Sequence, residues 1–264
     1  ATAGDDFVST AGTVSFAKGQ KTATVDVTIN GDTTYENSGT AETVKVKFSG
    51  SDLVADVEGS GSITENDTDP STVTQTLSLT TGVNDLTGGS AADVFDATVS
   101  NTLNTGDTLA GGAGTDTLNA KFGSAHTATV SSTGIETFSL EAVGDTTLNL
   151  ADVSGLTSIY NQGSTAALTL NNITTIPTIY INTNEKASTF NFTNSAMSST
   201  TDDLEIRLDG VKDSDDGTDG LSSITLTSAS GATNTIETVS LVTNSVLNKL
   251  ETLSTTGVGA TKLE

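Results

Sequence analysis

Apolar and polar residues alternate in three segments near the start of the chain: Thr13-Val14-Ser15-Phe16, Ala23-Thr24-Val25-Asp26-Val27-Thr28-Ile29 and Thr43-Val44-Lys45-Val46-Lys47-Phe48. A period of two puts the apolar side chains on one face, so each segment reads as a half-buried antiparallel strand. Lys18-Gly19 and Asn30-Gly31-Asp32 supply the turns, and a β-sandwich is the predicted result. Asp67-Thr68-Asp69-Pro70-Ser71-Thr72 then breaks the pattern, because proline cannot continue a ladder and its neighbours are small and polar. The reading is a domain over 1–69, a linker over 70–73 and a second domain over 74–264.

In the second domain the texture changes to short apolar couplets: Phe138 and Leu140, Leu148 and Leu150, Leu168 and Leu170, Ile179 and Ile181, Phe190 and Phe192, Ile206 and Leu208, Ile224 and Leu226, Val239 and Leu241. Their offsets are ten or eleven residues or near multiples of that, and IETFSL from Ile135 is echoed by IETVSL from Ile236 and by Leu250-Glu251-Thr252-Leu253. A rung this short cannot bury its own face and must stack on its neighbours, which predicts a right-handed parallel β-solenoid. An antiparallel sandwich with a turn every ten residues fits the same couplets. The one helical candidate is Ser245 to Leu253, so the whole chain is expected to be all-β.

Glycine spacing adds chemistry. Gly111, Gly112, Gly114, Asp116 and Leu118 fill the fixed positions of the calcium-binding nonapeptide G-G-x-G-x-D-x-U, and Asp107 and Leu109 stand nine residues before Asp116 and Leu118. A degenerate copy precedes it: Gly88, Gly89, Asp93 and Phe95, with Ala91 at the third glycine position and Asn84 and Leu86 nine residues earlier. In such repeats glycine allows left-handed turns, the carboxylate and turn carbonyls offer hard oxygen to calcium, and the large apolar residue enters a thin core. The competing reading is ordinary turn glycines. Nine residues beyond Asp116 stands Ala125, so the array stops there and reads as a short cap on the solenoid.

Charge supports a cation partner. Acids outnumber Lys and Arg 33 to 10, giving a net charge of −23 although only 16% of residues are charged. Clustered positive charge is absent, which excludes a nucleic-acid surface and disfavours anionic lipid. With no cysteine there is neither a disulfide framework nor a thiolate zinc site. The single histidine, His126, reads as a surface residue rather than a catalytic base. No run of apolar residues is long enough to insert in a membrane. Because the chain starts without Met, it reads as a piece of a longer protein. A further acidic loop, Lys212 to Gly220, alternates Asp213, Asp215, Asp216 and Asp219 with small residues in the manner of a calcium loop, or is simply solvated. It is not an EF-hand, since the twelfth position from Asp213 is Ile224.

The first segment, AGDDFVSTAGTVSFAKGQKTATVDVTINGDTTYEN…ETVKVKF…GSITEND, resembles a Calx-beta domain that lacks its opening strands. That resemblance implies a calcium cluster at one end of the sandwich drawing on Asp6, Asp32, Glu36, Glu65 and Asp67, with Glu42 a weaker member. Gly31 departs from it, standing where an acid is common. The second segment resembles the Thr/Asn/Gly-rich solenoids of bacterial surface-layer and adhesin-like proteins, often with RTX repeats, through TLSLTTGVNDLTGG…DVFDA…TGDTLAGGAGTDTLNA and IETFSLEA…LNLADVSGLTSIYNQGSTAALTLNNI.

What this second resemblance implies is type I secretion, folding on extracellular calcium, and a mechanical role at the cell surface as lattice or adhesion module. The partners would be further copies, other surface proteins or polysaccharide, and no enzyme activity is expected. Two rivals stay open. One is a secreted polysaccharide lyase using Arg207, the only arginine, amid Asp202, Asp203 and Asp209. The other is an ice- or surface-binding adhesin, which needs a flat face of aligned threonines that the irregular couplet spacing does not promise.

Overall fold

The computed structural model describes residues 2, 6–31, 35, 41–50, 53, 55–64, 67–184, 186–199, 201–211, 223–228, 233–244, 248, 250–256 and 262–263. It is all-β and divides into two compact units, Ala1–Pro70 and Ser71–Glu264.

In the first unit β1 (Glu42–Phe48) and β2 (Val57–Ile63) form an antiparallel hairpin, from Glu42 opposite Ile63 to Phe48 opposite Val57. Val44 is its one buried large side chain. Thr13–Phe16 and Ala23–Ile29, expected as strands, form no ladder; an isolated antiparallel bridge joins Phe7 to Ile29. The reason is visible in the side chains the alternation would bury. Phe16 is 58% exposed, and Val25 and Ile29 also face solvent, so nothing among the described residues covers them as a second layer. Alternation fixes which face would go inside but supplies no partner, and a two-stranded ribbon alone is marginal.

The second unit is a coil of parallel strands. The early rungs are short: β3 (Thr76–Ser78), β4 (Asp85–Thr87), β5 (Val94–Ala97), β6 (Thr108–Ala110), β7 (Thr117–Phe122). Then come β8 (His126–Thr133), β9 (Thr137–Ala142), β10 (Thr146–Ser154), β11 (Ser158–Gln162), β12 (Leu168–Ile173), β13 (Thr178–Asn182) and β14 (Ser188–Phe192). The last are β15 (Asp203–Asp209), β16 (Ser223–Ser228), β17 (Thr238–Thr243), β18 (Thr252–Thr256) and β19 (Lys262–Leu263). Odd-numbered strands build one nine-stranded sheet and even-numbered strands an eight-stranded one, so each full coil contributes one strand to each face. Parallel pairing throughout excludes the antiparallel sandwich for this unit. Thr252–Thr256 is strand, which removes the described end of the one helical candidate.

The couplet offsets now have a cause. Leu118 pairs with Phe138, and Ile159 with Phe138 and Ile179, at steps of 20 or 21 residues per coil, so a ten- or eleven-residue offset is half a coil and successive couplets enter opposite sheets. Inward side chains stack into columns such as Phe95, Leu118, Phe138, Ile159, Ile179 and Ile206, all fully buried. Burial of this apolar area, at ~25 cal/mol per Å², is what holds rungs with no core of their own. Outside, the spacing between rungs is the strand spacing, and side chains at equivalent positions form ladders. Asn172 Nδ2 donates to Asn149 Oδ1 (2.8 Å) and Asn191 Nδ2 to Asn171 Oδ1 (2.5 Å).

Candidate metal centre

The nine-residue step of the glycine motif also spans half a coil. Asn84 and Asp107 precede β4 and β6 at one corner, and Asp93 and Asp116 precede β5 and β7 at the other, each pair one rung apart. All four are buried. Their burial is sustained by backbone N–H groups that the corner leaves without a ladder partner, a need that a carboxylate meets with a charge-assisted hydrogen bond.

At the second corner the acids reach from rung to rung. Gln75 N–H donates to Asp93 Oδ1 (2.7 Å), Asp93 N–H to Asp116 Oδ1 (2.7 Å), and Asp116 N–H to Glu136 Oε2 (2.7 Å). Asp93 uses its other oxygen as well, accepting from Gly89 N–H at 2.5 Å. At the first corner Asp107 Oδ1 accepts from Asn84 N–H (2.8 Å) and Asn84 Nδ2 (3.0 Å), and its Oδ2 accepts from Asn104 N–H (2.6 Å). Asn84 Oδ1 in turn takes Thr80 N–H at 3.1 Å.

Asp116 differs from the others. It is 0% exposed, and its Oδ2 accepts no hydrogen bond among the described residues. Burial pushes its carboxyl above the ordinary aspartate range, the charges of Glu136 and Asp93 push it further, and the hydrogen bond from Asp93 N–H opposes them.

The glycines above it are there for close approach as much as for turn geometry. A Cβ on Gly111 would lie 1.8 Å from Gly134 O and 2.5 Å from Asp116 Oδ2, so both oxygens converge over the bare Cα. Gly112 and Gly114 have φ of 96° and 117°, and a Cβ on either would strike Gly89 O or Ala91 O of the preceding coil.

A buried carboxylate oxygen without a donor, close to a backbone carbonyl over a bare glycine Cα, fits a hard cation. Asp116, Glu136 and the Gly134 carbonyl are the groups that would hold it. Among the described residues no three Asp, Glu or His side chains gather as a metal cluster, so backbone oxygen has to complete any ligand set.

The other predicted ligands are scattered or undescribed. Asp6 accepts from the Thr2 N–H, its own carbonyl takes Asn30 N–H at 3.0 Å, Asp67 is half-buried beyond β2, and Glu42 opens β1. Asp32, Glu36, Glu65, Asp213, Asp215, Asp216 and Asp219 lie outside the described residues. Glu136 is not among the ligands that the nonapeptide spacing predicts; its signal in the sequence is the glutamate shared by the two Ile-Glu-Thr copies.

Three exterior features bear on the rival readings. Arg207 pairs with Glu205, Nε to Oε1 at 2.5 Å, rather than with the aspartates, and its guanidinium lies 5.8 Å from the Tyr180 ring centroid. Tyr180 stacks on Tyr160 at 4.1 Å. On the even sheet, Thr127, Thr147, Thr169, Thr189 and Thr225 stand in register on consecutive rungs, followed by Ser254, so the aligned column forms after all. His126, expected as a surface residue, is half-buried, bonded through Nε2 to Leu103 O (2.8 Å) and stacked on Phe122. No family model matches the chain, and no curated protein or solved structure matches it either.

Proposed function

We propose that the chain is a calcium-dependent structural module of a secreted bacterial surface protein, serving as part of a surface-layer lattice or adhesin. The observation that carries this reading is the orphaned Asp116 Oδ2 facing the Gly134 carbonyl over Gly111, inside a chain of net charge −23. In the proposal, Asp116 and Glu136 hold calcium with turn carbonyls, and calcium offsets a like-charge stack that otherwise opposes coiling. The truncated Calx-beta reading of the first unit, type I export and an extracellular location belong to the same proposal, supported by the residues that carry those resemblances. Self-association, or attachment to surface proteins or polysaccharide, would follow from the exposed polar ladders. The test is thermal unfolding of the whole chain in millimolar calcium and in chelator. A ligand held only by the folded state at ~100 times its Kd adds about 2.7 kcal/mol, so the melting temperature should fall clearly in chelator. Equal melting in the two buffers sinks the calcium reading.

The threonine column favours a second reading, an ice- or surface-binding adhesin. Parallel rungs set the threonines about 4.8 Å apart in one column, a regular array suited to an ordered surface. Binding to ice or to a crystalline polysaccharide that Thr169→Lys abolishes would support it. The lyase reading gains nothing from Arg207, whose exposed head is taken up by Glu205 and Tyr180.

A further inference from the structure

The two Ile-Glu-Thr copies share an arrangement as well as a sequence. In both, the isoleucine is fully buried: Ile135 and Ile236. In both, the glutamate accepts the backbone N–H of an aspartate one rung earlier: Asp116 to Glu136 Oε2 at 2.7 Å, and Asp202 to Glu237 Oε2 at 2.8 Å. The following threonine N–H returns a bond to that aspartate's carbonyl, Thr137 to Asp116 O at 3.1 Å and Thr238 to Asp202 O at 3.3 Å. Finally, Asp202 is 9% exposed and its Oδ2, like that of Asp116, has no hydrogen-bond partner among the described residues.

The second pair has no glycine motif before its aspartate, and the two lie well apart along the odd sheet, at β7 and β9 and at β15 and β17. Asp202, buried, and Glu237, half-buried, stand one rung apart and their like charges repel, the more so with Asp203 adjacent. Burial raises the Asp202 carboxyl above its ordinary range and Glu237 raises it further. Thr235 Oγ1 donates to Glu237 Oε1 (3.3 Å) and so helps to orient the glutamate.

We propose that Asp202 and Glu237 form a second divalent-cation site, of the calcium type, built on the Asp-over-Glu plan and independent of the glycine-rich turns. The ion takes Asp202 Oδ2 and the Glu237 carboxylate, completes its shell with backbone oxygen and water, and locks β15 to β17 across one of the long steps of the coil: Asp203 to Thr238 is 35 residues.

The experiment is equilibrium dialysis of the whole chain against calcium, beside Asp202→Asn, Asp116→Asn and the double variant. Each single change should lose one bound ion and the double change two. An unaltered count in Asp202→Asn overturns the proposal even if Asp116→Asn loses its ion. A wild-type chain that binds no calcium overturns both this site and the functional reading.

Melting of the same variants supplies a second readout. Asparagine is isosteric and relieves repulsion, so Asp202→Asn should melt no lower than wild type in chelator and gain less from calcium. If it melts lower by the same amount in both buffers, Asp202 is only a structural acceptor and the site does not exist.

Discussion

Replacing Gly111 by alanine tests the stacking of the turns without reference to any ion. The new Cβ would sit 1.8 Å from Gly134 O and 2.7 Å from Gly134 C, whereas a comfortable carbon–oxygen contact is about 3.3 Å or more, so the turns must part by roughly 1.5 Å. Neither neighbour can swing away as a side chain would. Gly134 O belongs to a backbone held by Gly134 N–H to Ser154 O (3.1 Å), and Gly111 itself is held by its N–H to Thr133 O (2.8 Å). Overpacking of this kind costs about 3 kcal/mol. For a unit of this size each kcal/mol moves the melting temperature by about 2–4 degrees, so a fall of about 6–12 degrees is expected. Gly82→Ala is the control. Its Cβ meets nothing closer than Thr80 Oγ1 at 3.7 Å, and it should be neutral or stabilising by about 0.4–1 kcal/mol. The assay is far-UV circular dichroism melting in chelator. If Gly111→Ala melts together with Gly82→Ala, the rungs are not packed as tightly as the geometry requires.

Two further outcomes follow from individual residues. Asp116 has a folded-state pKa raised above its unfolded value, so the native state binds its proton more tightly and, in metal-free buffer, stability should fall as pH rises through the window just above 3.8. Wild type minus Asp116→Asn should show that slope in denaturant titrations, and a difference flat with pH contradicts the burial argument. Thr183 holds φ 50° in an exposed corner between Gly163 (66°) and Gly210 (64°) of the adjoining coils. Left-handed backbone costs a β-branched residue about 1–2 kcal/mol and glycine's extra chain entropy returns about 0.5–1, so Thr183→Gly should stabilise by about 0.5–1 kcal/mol in urea unfolding.

Much of the coil was legible because its signals are local. The couplets name the inward residues, and the nine-residue step joining Asp107 to Asp116 names the two corners. What a linear pattern could not give is which rungs become neighbours. Thr189 and Thr225 are 36 residues apart yet in register, while Thr127 and Thr147 are 20 apart and equally in register. Interior packing of Leu148, Leu170, Phe190 and Leu226 sets that alignment, so irregular spacing in sequence concealed a regular surface. In the first segment the alternation is as clear, but only the hairpin of β1 and β2 forms a ladder among the described residues, and Phe16 and Val25 stay exposed. At the candidate centre the acids of the motif were legible and their hydrogen bonding was not. Asp93 and Asp107 spend both oxygens on backbone N–H, a use invisible until coils are stacked, and only Asp116 keeps one in reserve.

That alignment across unequal steps makes the coil a ruler with detachable markings. Because the inward columns determine where the next strand lands, one coil can take 36 residues, as from Thr189 to Thr225, while the paired strands keep their register. Peptide segments inserted between strands should therefore leave the rungs on either side at a fixed height along the stack, which makes the fold a vehicle for placing recognition elements at chosen intervals.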